Sequence, residues 1–272
     1  MNDSLLLLDD VSKRFGGVAA VDGVSMRVNQ GVITGLIGPN GAGKTSLVNL
    51  VSGFYRPDAG SIEFQGQEIA GHSAHGISRL GITRTYQNVR LFSGLSAVEQ
   101  VVAGMYTSRK TTALGGVFFL PKERDERRRC NERAVELLDQ VGVKERDELA
   151  EELPYGTQRR VEIARALATN PKLILLDEPT AGMNKEESVA IGELIHTVRD
   201  QGCTVFVIEH NMRLILDYCE EAYVMSFGEV LAHGTPQECV EDPLVQKAYF
   251  GKETDAAGIP ALRELRSDQS DS

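Results

Sequence analysis

An α/β fold is what the sequence predicts, on three observations. Short apolar runs alternate with stretches whose apolar residues recur at helical spacing, the pattern of strands joined by helices. One run, residues 32–37, leads into Gly38-Pro39-Asn40-Gly41-Ala42-Gly43-Lys44-Thr45, which fits G-x-x-x-x-G-K-S/T, and Ser46 follows at the head of a helical stretch. A second run, Leu173-Ile174-Leu175-Leu176, is apolar throughout and ends in Asp177-Glu178-Pro179. Such a run suits a strand buried on both faces of a parallel sheet, and acids at its carboxyl end sit where open α/β sheets bind ligands.

Taken in order, residues 5–11 read as a strand and 12–17 as a turn. Residues 18–21 and 24–28 follow, the latter alternating, so an antiparallel segment precedes the glycine-rich loop. Residues 46–51 form the loop's helix, which Gly53 ends. Residues 61–64 and the segment after Gly66 suggest a small hairpin, 82–86 a strand ending at Gln87, and 95–105 a helix. The polar stretch 107–116 reads as a loop. Residues 121–138 read as a charged helix with Glu123–Arg127 and Asp125–Arg129 pairs on a solvated face. Further helices are expected over 158–168, 185–200, from Met212 to Cys219 and over 243–250. Residues 204–208 read as a buried strand, and 222–231 as a hairpin. Thr235-Pro236-Gln237-Glu238 is a capping box with proline at the first helical position. The tail 252–272 has the composition of a disordered segment.

Composition narrows the function. The chain has 272 residues and a net charge of −10, which argues against a protein that coats nucleic acid. No apolar run approaches the ~20 residues that cross a bilayer. The start of the chain lacks the basic segment and cleavage site of a secretory signal. Cys130, Cys203, Cys219 and Cys239 are scattered, as suits reduced cytosolic thiols rather than zinc ligands or disulfides.

The motifs carry phosphate chemistry. Glycines let backbone N–H groups turn toward a triphosphate, and a helix N-terminus adds donors and a positive dipole end. Lys44 is placed to reach the β- and γ-phosphates and Thr45 to hold Mg²⁺. Asp177 at a strand end is placed to hold Mg²⁺, directly or through water, and Glu178 is a candidate general base. His210, ending another strand, is placed to contact the γ-phosphate. Phe15, in a glycine-flanked turn, either stacks on a base or anchors the turn.

With these residues in order, the chain resembles the ATPase subunits of ATP-binding cassette (ABC) transporters, over residues 5–251. The resemblance implies a P-loop NTPase (RecA-like) core with an antiparallel β subdomain and an inserted α-helical subdomain at about 88–165. Phe15 resembles the adenine-stacking aromatic, and Gly38 to Thr45 the Walker A loop. Gln87 matches the glutamine that touches Mg²⁺ and links the site to membrane subunits. Asp177, Glu178 and His210 match the Walker B aspartate, the catalytic glutamate and the switch histidine. Leu153-Pro154-Tyr155-Gly156-Thr157 falls at the signature, with Tyr155 and Gly156 facing a partner's nucleotide. Pro154 replaces the usual serine, which removes a hydroxyl and an N–H, and Asn184 replaces an acid. These departures, with Arg14-Phe15-Gly16-Gly17 and Thr85-Tyr86-Gln87-Asn88-Val89-Arg90-Leu91-Phe92, resemble the branched-chain (hydrophobic) amino-acid importer branch. Urea and lipopolysaccharide-export ATPases share much of this pattern.

The resemblance implies ATP and Mg²⁺ as ligands and two cassettes closing head to tail on two nucleotides. The partners it implies are a second cassette, a paralogue or the same chain, with two permease subunits and, indirectly, an extracytoplasmic solute-binding protein. It implies a peripheral place on the cytoplasmic face of the cell membrane and no nucleic-acid partner. A soluble cassette protein of repair or translation is the rival class, but such proteins usually carry two cassettes or a long coiled-coil insertion. A P-loop kinase or GTPase is a further alternative, and N-K-x-D is missing at a suitable place.

Overall fold

The computed structural model describes residues 4–105, 121–210 and 212–250. The expected loop at 107–116 and the expected disordered tail at 252–272 lie outside them.

Two sheets organise the described residues. The first is antiparallel, in the order β2 (Val18–Asn29), β1 (Ser4–Phe15), β4 (Ala59–Phe64), β5 (Gln67–Glu68). The second runs β10 (Glu229–Gly234), β9 (Glu221–Ser226), β3 (Ile33–Ile37), β8 (Thr204–Glu209), β7 (Leu173–Asp177), β6 (Ile82–Arg84). Strands β9, β3, β8, β7 and β6 are mutually parallel, and β10 closes the edge as the antiparallel arm of a hairpin.

The apolar runs become strands because both of their faces have somewhere to go. Ile33, Ile37, Ile174, Leu176, Val205 and Val207 join one core. Helices α5 (Tyr155–Leu167), α6 (Lys185–Asp200) and α7 (Met212–Tyr218) contribute to that same core. Leu36, Leu173, Leu175, Phe206 and Ile208 join a second core with the antiparallel sheet and α1 (Lys44–Val51). Each fully buried side chain of this kind contributes about 1.5–3 kcal/mol. The glycine-rich loop and its helix are therefore packed against the antiparallel sheet as well as the parallel one.

Helices α3 (Ala97–Met105), α4 (Pro121–Gln140) and α5 pack on one another through Val101, Leu137, Leu138, Val161 and Ala164. Gly104 permits the α3–α5 approach, since a Cβ there would stand 2.4 Å from the Arg165 carbonyl oxygen. On the exposed face of α4, Asp125 pairs with Arg128 at 3.9 Å rather than with Arg129, and Arg128 also lies 3.7 Å from Glu132. The Glu123 side chain lies outside the described residues.

Several boundaries differ from the sequence expectation. Strand β1 runs on to Phe15 because Lys13, Arg14 and Phe15 pair with β2, leaving only Gly16 and Gly17 to turn. The two expected segments after it are one strand, β2. Strand β6 ends at Arg84 rather than at residue 86. Helix α2 (Ala74–Leu80) is capped by Ser73, which accepts from the Gly76 N–H, and was not foreseen because it buries only Ile77. Helix α5 starts three residues before the expected Gln158: Pro154 is its N-cap, and the Pro154 carbonyl accepts from the Gln158 N–H at 2.9 Å. Beyond β10, α8 (Pro236–Glu241) has the capping box read from Thr235 and Glu238, and α9 (Pro243–Phe250) follows. Among the described residues none of the four cysteines forms a disulfide, and burial pushes the Cys203 thiol up to about 12 and Cys239 up to about 11.

Candidate active site

Three neighbouring parallel strands deliver the chemistry to one edge. In the order β3-β8-β7, Ile37 lies opposite Glu209, and Ile208 lies opposite Asp177. The glycine-rich loop, Glu209-His210 and Asp177-Glu178 therefore emerge side by side at the carboxyl ends, where such sheets bind ligands.

The loop is shaped by close approach. Gly43 has φ of 100°, and a Cβ there would stand 2.2 Å from the Ala20 carbonyl oxygen. A side chain at that position is excluded by conformation and by space. Lys44 follows at the head of α1, buried, with Nζ donating to Gly38 O at 2.6 Å and Pro39 O at 3.1 Å. Burial pulls its ammonium below the ordinary lysine value, and Glu178, Asp177 and Glu209 oppose that pull. Asn40, Gly41 and Thr45 are exposed, Pro39 and Ser46 are half-buried, and Ala42 is buried. The first turn of α1 leaves amides without intrahelical acceptors beside this cation.

Glu178 is held from three sides. Its N–H donates to Ile208 O at 2.8 Å, which continues the sheet one residue past β7. One carboxylate oxygen accepts from Gln87 Nε2 at 2.8 Å, and the other lies 3.5 Å from His210 Nδ1. Its φ of 46° is left-handed, a conformation that costs a non-glycine residue about 1–2 kcal/mol. Glu209 fixes the turn beyond it. That buried carboxylate accepts from the Thr180 hydroxyl at 2.7 Å, the Thr180 N–H at 3.2 Å and the His210 N–H at 3.1 Å. Glu178 and His210 are thus fastened to a common support.

Asp177 is buried and paired with Arg84, Nη2 to Oδ2 at 2.7 Å. Arg84 also donates to Asn49 Oδ1 of α1 at 2.6 Å and lies 5.3 Å from the Tyr86 ring centre. The aspartate is therefore aimed by a guanidinium that spans β6, β7 and α1. Phe15 stands edge-on to Tyr55 with ring centres 5.1 Å apart, and 42 % of it is exposed.

Tyr155 and Gly156 form the first turn of α5, and their contacts lie elsewhere than the glycine-rich loop. The Tyr155 ring lies beside Gly182, and Gly156 lies beside Glu187. Asn184, the residue replacing an acid, is the N-cap of α6. Its side chain accepts from the Glu187 N–H at 2.9 Å, and Glu187 accepts from the Asn184 N–H at 3.0 Å.

Sequence reasoning brought out Lys44, Thr45, Gln87, Asp177, Glu178 and His210, but not Arg84 or Glu209. The one trace of Arg84 in the sequence is a basic residue within the strand segment 82–86, and the acid it meets is shown only by the fold. Among the described residues no helix is long and apolar enough to cross a membrane.

Comparison with known proteins agrees with this geometry. The family model described as ABC transporter matches residues 21–181, and that described as branched-chain amino acid ATP-binding cassette transporter matches residues 229–255. The chain is 40 % identical over 254 residues to the high-affinity branched-chain amino acid transport ATP-binding protein BraF of Pseudomonas aeruginosa, covering 93 % of this chain and 100 % of that one. It is 38 % identical over 249 residues to the lipopolysaccharide export system ATP-binding protein LptB of Escherichia coli, covering 91 % and 98 %. The ADP conformation of MJ1267, an ATP-binding cassette of an ABC transporter, superposes with a TM-score of 0.80 at 32 % identity, covering 92 % of this chain and 99 % of that one. The chain belongs to the ABC transporter family of ATP-binding proteins.

Proposed function

We propose that this chain is the ATP-hydrolysing subunit of an importer of branched-chain or other hydrophobic amino acids. The convergence of Lys44, Asp177, Glu178 and His210 at one sheet edge, with Gln87 bonded to Glu178, carries the enzymatic part. The likeness of residues 229–255 to the branched-chain family model and the identity to BraF support the cargo class.

In this reading backbone N–H groups of Asn40, Gly41 and Gly43 and of the first turn of α1 bind the β- and γ-phosphates of ATP. Lys44 exchanges the Gly38 and Pro39 carbonyls for phosphate oxygens. Phe15 stacks on the adenine. Glu178 accepts a proton from water as the water oxygen attacks the γ-phosphorus. The bond from that phosphorus to the bridging oxygen breaks, and its electron pair leaves with ADP. His210 contacts the γ-phosphate and offers it a ring N–H as hydrogen-bond donor. Thr45, Gln87 and Asp177 offer oxygen donors of the kind Mg²⁺ takes. Among the described residues no cluster of three or more His, Cys, Asp or Glu side chains competes for a metal. When bound there, Mg²⁺ supplies positive charge to the β- and γ-phosphate oxygens.

Tyr155 and Gly156 then face the nucleotide of a second cassette, and the pair works on two permease subunits at the cytoplasmic face of the membrane. The 38 % identity to LptB favours lipopolysaccharide export as a second reading. Purification with natural membrane partners and reconstitution in proteoliposomes separates the two. Uptake of labelled leucine driven by Mg-ATP supports the first reading. Lipid extraction without amino-acid uptake establishes the second.

A further inference from the structure

The segment after β6 leaves the sheet at Thr85, whose N–H makes the last bond to Leu175 O. From Tyr86 to Phe92 its backbone is taken up by side chains of α5 and α3. Arg159, wholly buried, donates through Nη1 to Tyr86 O and through Nη2 to Gln87 O, each at 2.5 Å. Glu162, also buried, accepts from Arg159 at 2.7 Å and from the Arg90 N–H at 3.3 Å. Arg165 donates to Arg90 O at 2.5 Å. Gln100 makes both bonds of a pair with Phe92, 2.6 Å to its carbonyl and 3.0 Å from its N–H.

A buried ion pair is a poor device for stability, because apolar residues of similar volume serve as well or better. Arg159 also keeps its Nε buried without a partner. What the pair does achieve is placement. Gln87 O is bonded by Arg159 while the Gln87 side chain is bonded to Glu178. The Tyr155 hydroxyl accepts from Arg159 at 3.3 Å, so the same guanidinium touches the first turn of α5.

We propose that Arg159, supported by Glu162, is a positioning residue for hydrolysis. It clamps the carbonyls of Tyr86 and Gln87 to α5, so that Gln87 meets Glu178 only where α5 allows. This rests on the hydrolytic reading above. It adds that the attitude of α5 is read at Glu178 through one buried fork of hydrogen bonds.

The test uses the chain in complex with its natural partners. Arg159→Met with Glu162→Gln removes both charges together and keeps an acceptor for the Arg90 N–H. The expected result is a Tm close to wild type, an ATP Kd within about threefold, and a kcat lowered about tenfold or more, as misplaced catalytic groups give. Amide exchange over residues 86–92, measured without nucleotide, should rise. Arg159→Lys keeps the charge but lacks the planar fork, and should fall between the two in kcat and in exchange. It serves alone if the double variant does not fold. Wild-type kcat in a folded variant, or a loss confined to Kd, overturns the proposal. So does unchanged exchange over 86–92, because that readout needs no turnover. Absence of ATPase in the wild-type complex, with raised exchange in the variants, overturns the hydrolytic reading and leaves the clamp standing.

Discussion

Lys44 is bonded to two carbonyls of its own loop, and three acids raise its pKa against the opposing effect of burial. A phosphate that replaces those carbonyls gains a desolvated cation already in place. Lys44→Ala should therefore leave the fold intact and remove ATP binding. Saturating ATP at a hundred times Kd stabilises a binding-competent fold by about 2.7 kcal/mol. A thermal shift with Mg-ATP should appear in the wild type and vanish in the variant. A full shift in the variant would contradict the role given to Lys44. At this scale the legible residues were those in contiguous motifs, since Gly38 to Thr45 and Asp177-Glu178 announce themselves in a row. Arg84, Glu209, Arg159 and Glu162 were not legible. A charged residue reads as solvated until the fold shows which carbonyl or carboxylate meets it.

Caps decide what the elements do at their ends. Asn184 was noticed as a departure from an acid, and its structural part is to close a reciprocal cap on α6. Asn184→Ala should cost about 1 kcal/mol and lower Tm by a few degrees. Asn184→Asp should be near neutral, and equal Tm values for all three proteins would refute the cap. Helix α8 gives a pH-dependent counterpart. The Thr235 N–H, and next the Thr235 hydroxyl, hold the Glu238 carboxyl below its ordinary value. Depression in the folded state means that its contribution is present above the ordinary glutamate pKa of about 4.3 and is lost as pH falls through the folded value. Glu238→Gln should flatten that part of the Tm–pH curve in acid while leaving the neutral range nearly unchanged. Strongly patterned α6 was readable to the residue, and β7 to within one. Helix α2 escaped because it buries one side chain. The start of α5 escaped because a proline N-cap carries no side-chain acceptor to signal it.

The described residues are arranged so that one sheet edge brings together Lys44, Asp177, Glu178 and His210. Strands distant in sequence, β3, β7 and β8, become neighbours, and their alternate faces feed two cores that meet at that sheet. The class of fold was readable because each buried run ends in a polar motif. The strand order was not, since it depends on which helices cross which face. The proposed mechanism rests on Glu178 as the base on water, held by Gln87 and His210 at that edge. Glu178→Gln keeps the size and the neighbours of that side chain while removing its capacity to take a proton. Single-turnover hydrolysis of Mg-ATP by the assembled complex, with ATP affinity measured alongside, tests this most directly. The account predicts affinity at or above wild type and a rate lowered about a hundredfold or more, at the low end of what a positioned base supplies. A Glu178→Gln variant that hydrolyses bound ATP at the wild-type rate would contradict it.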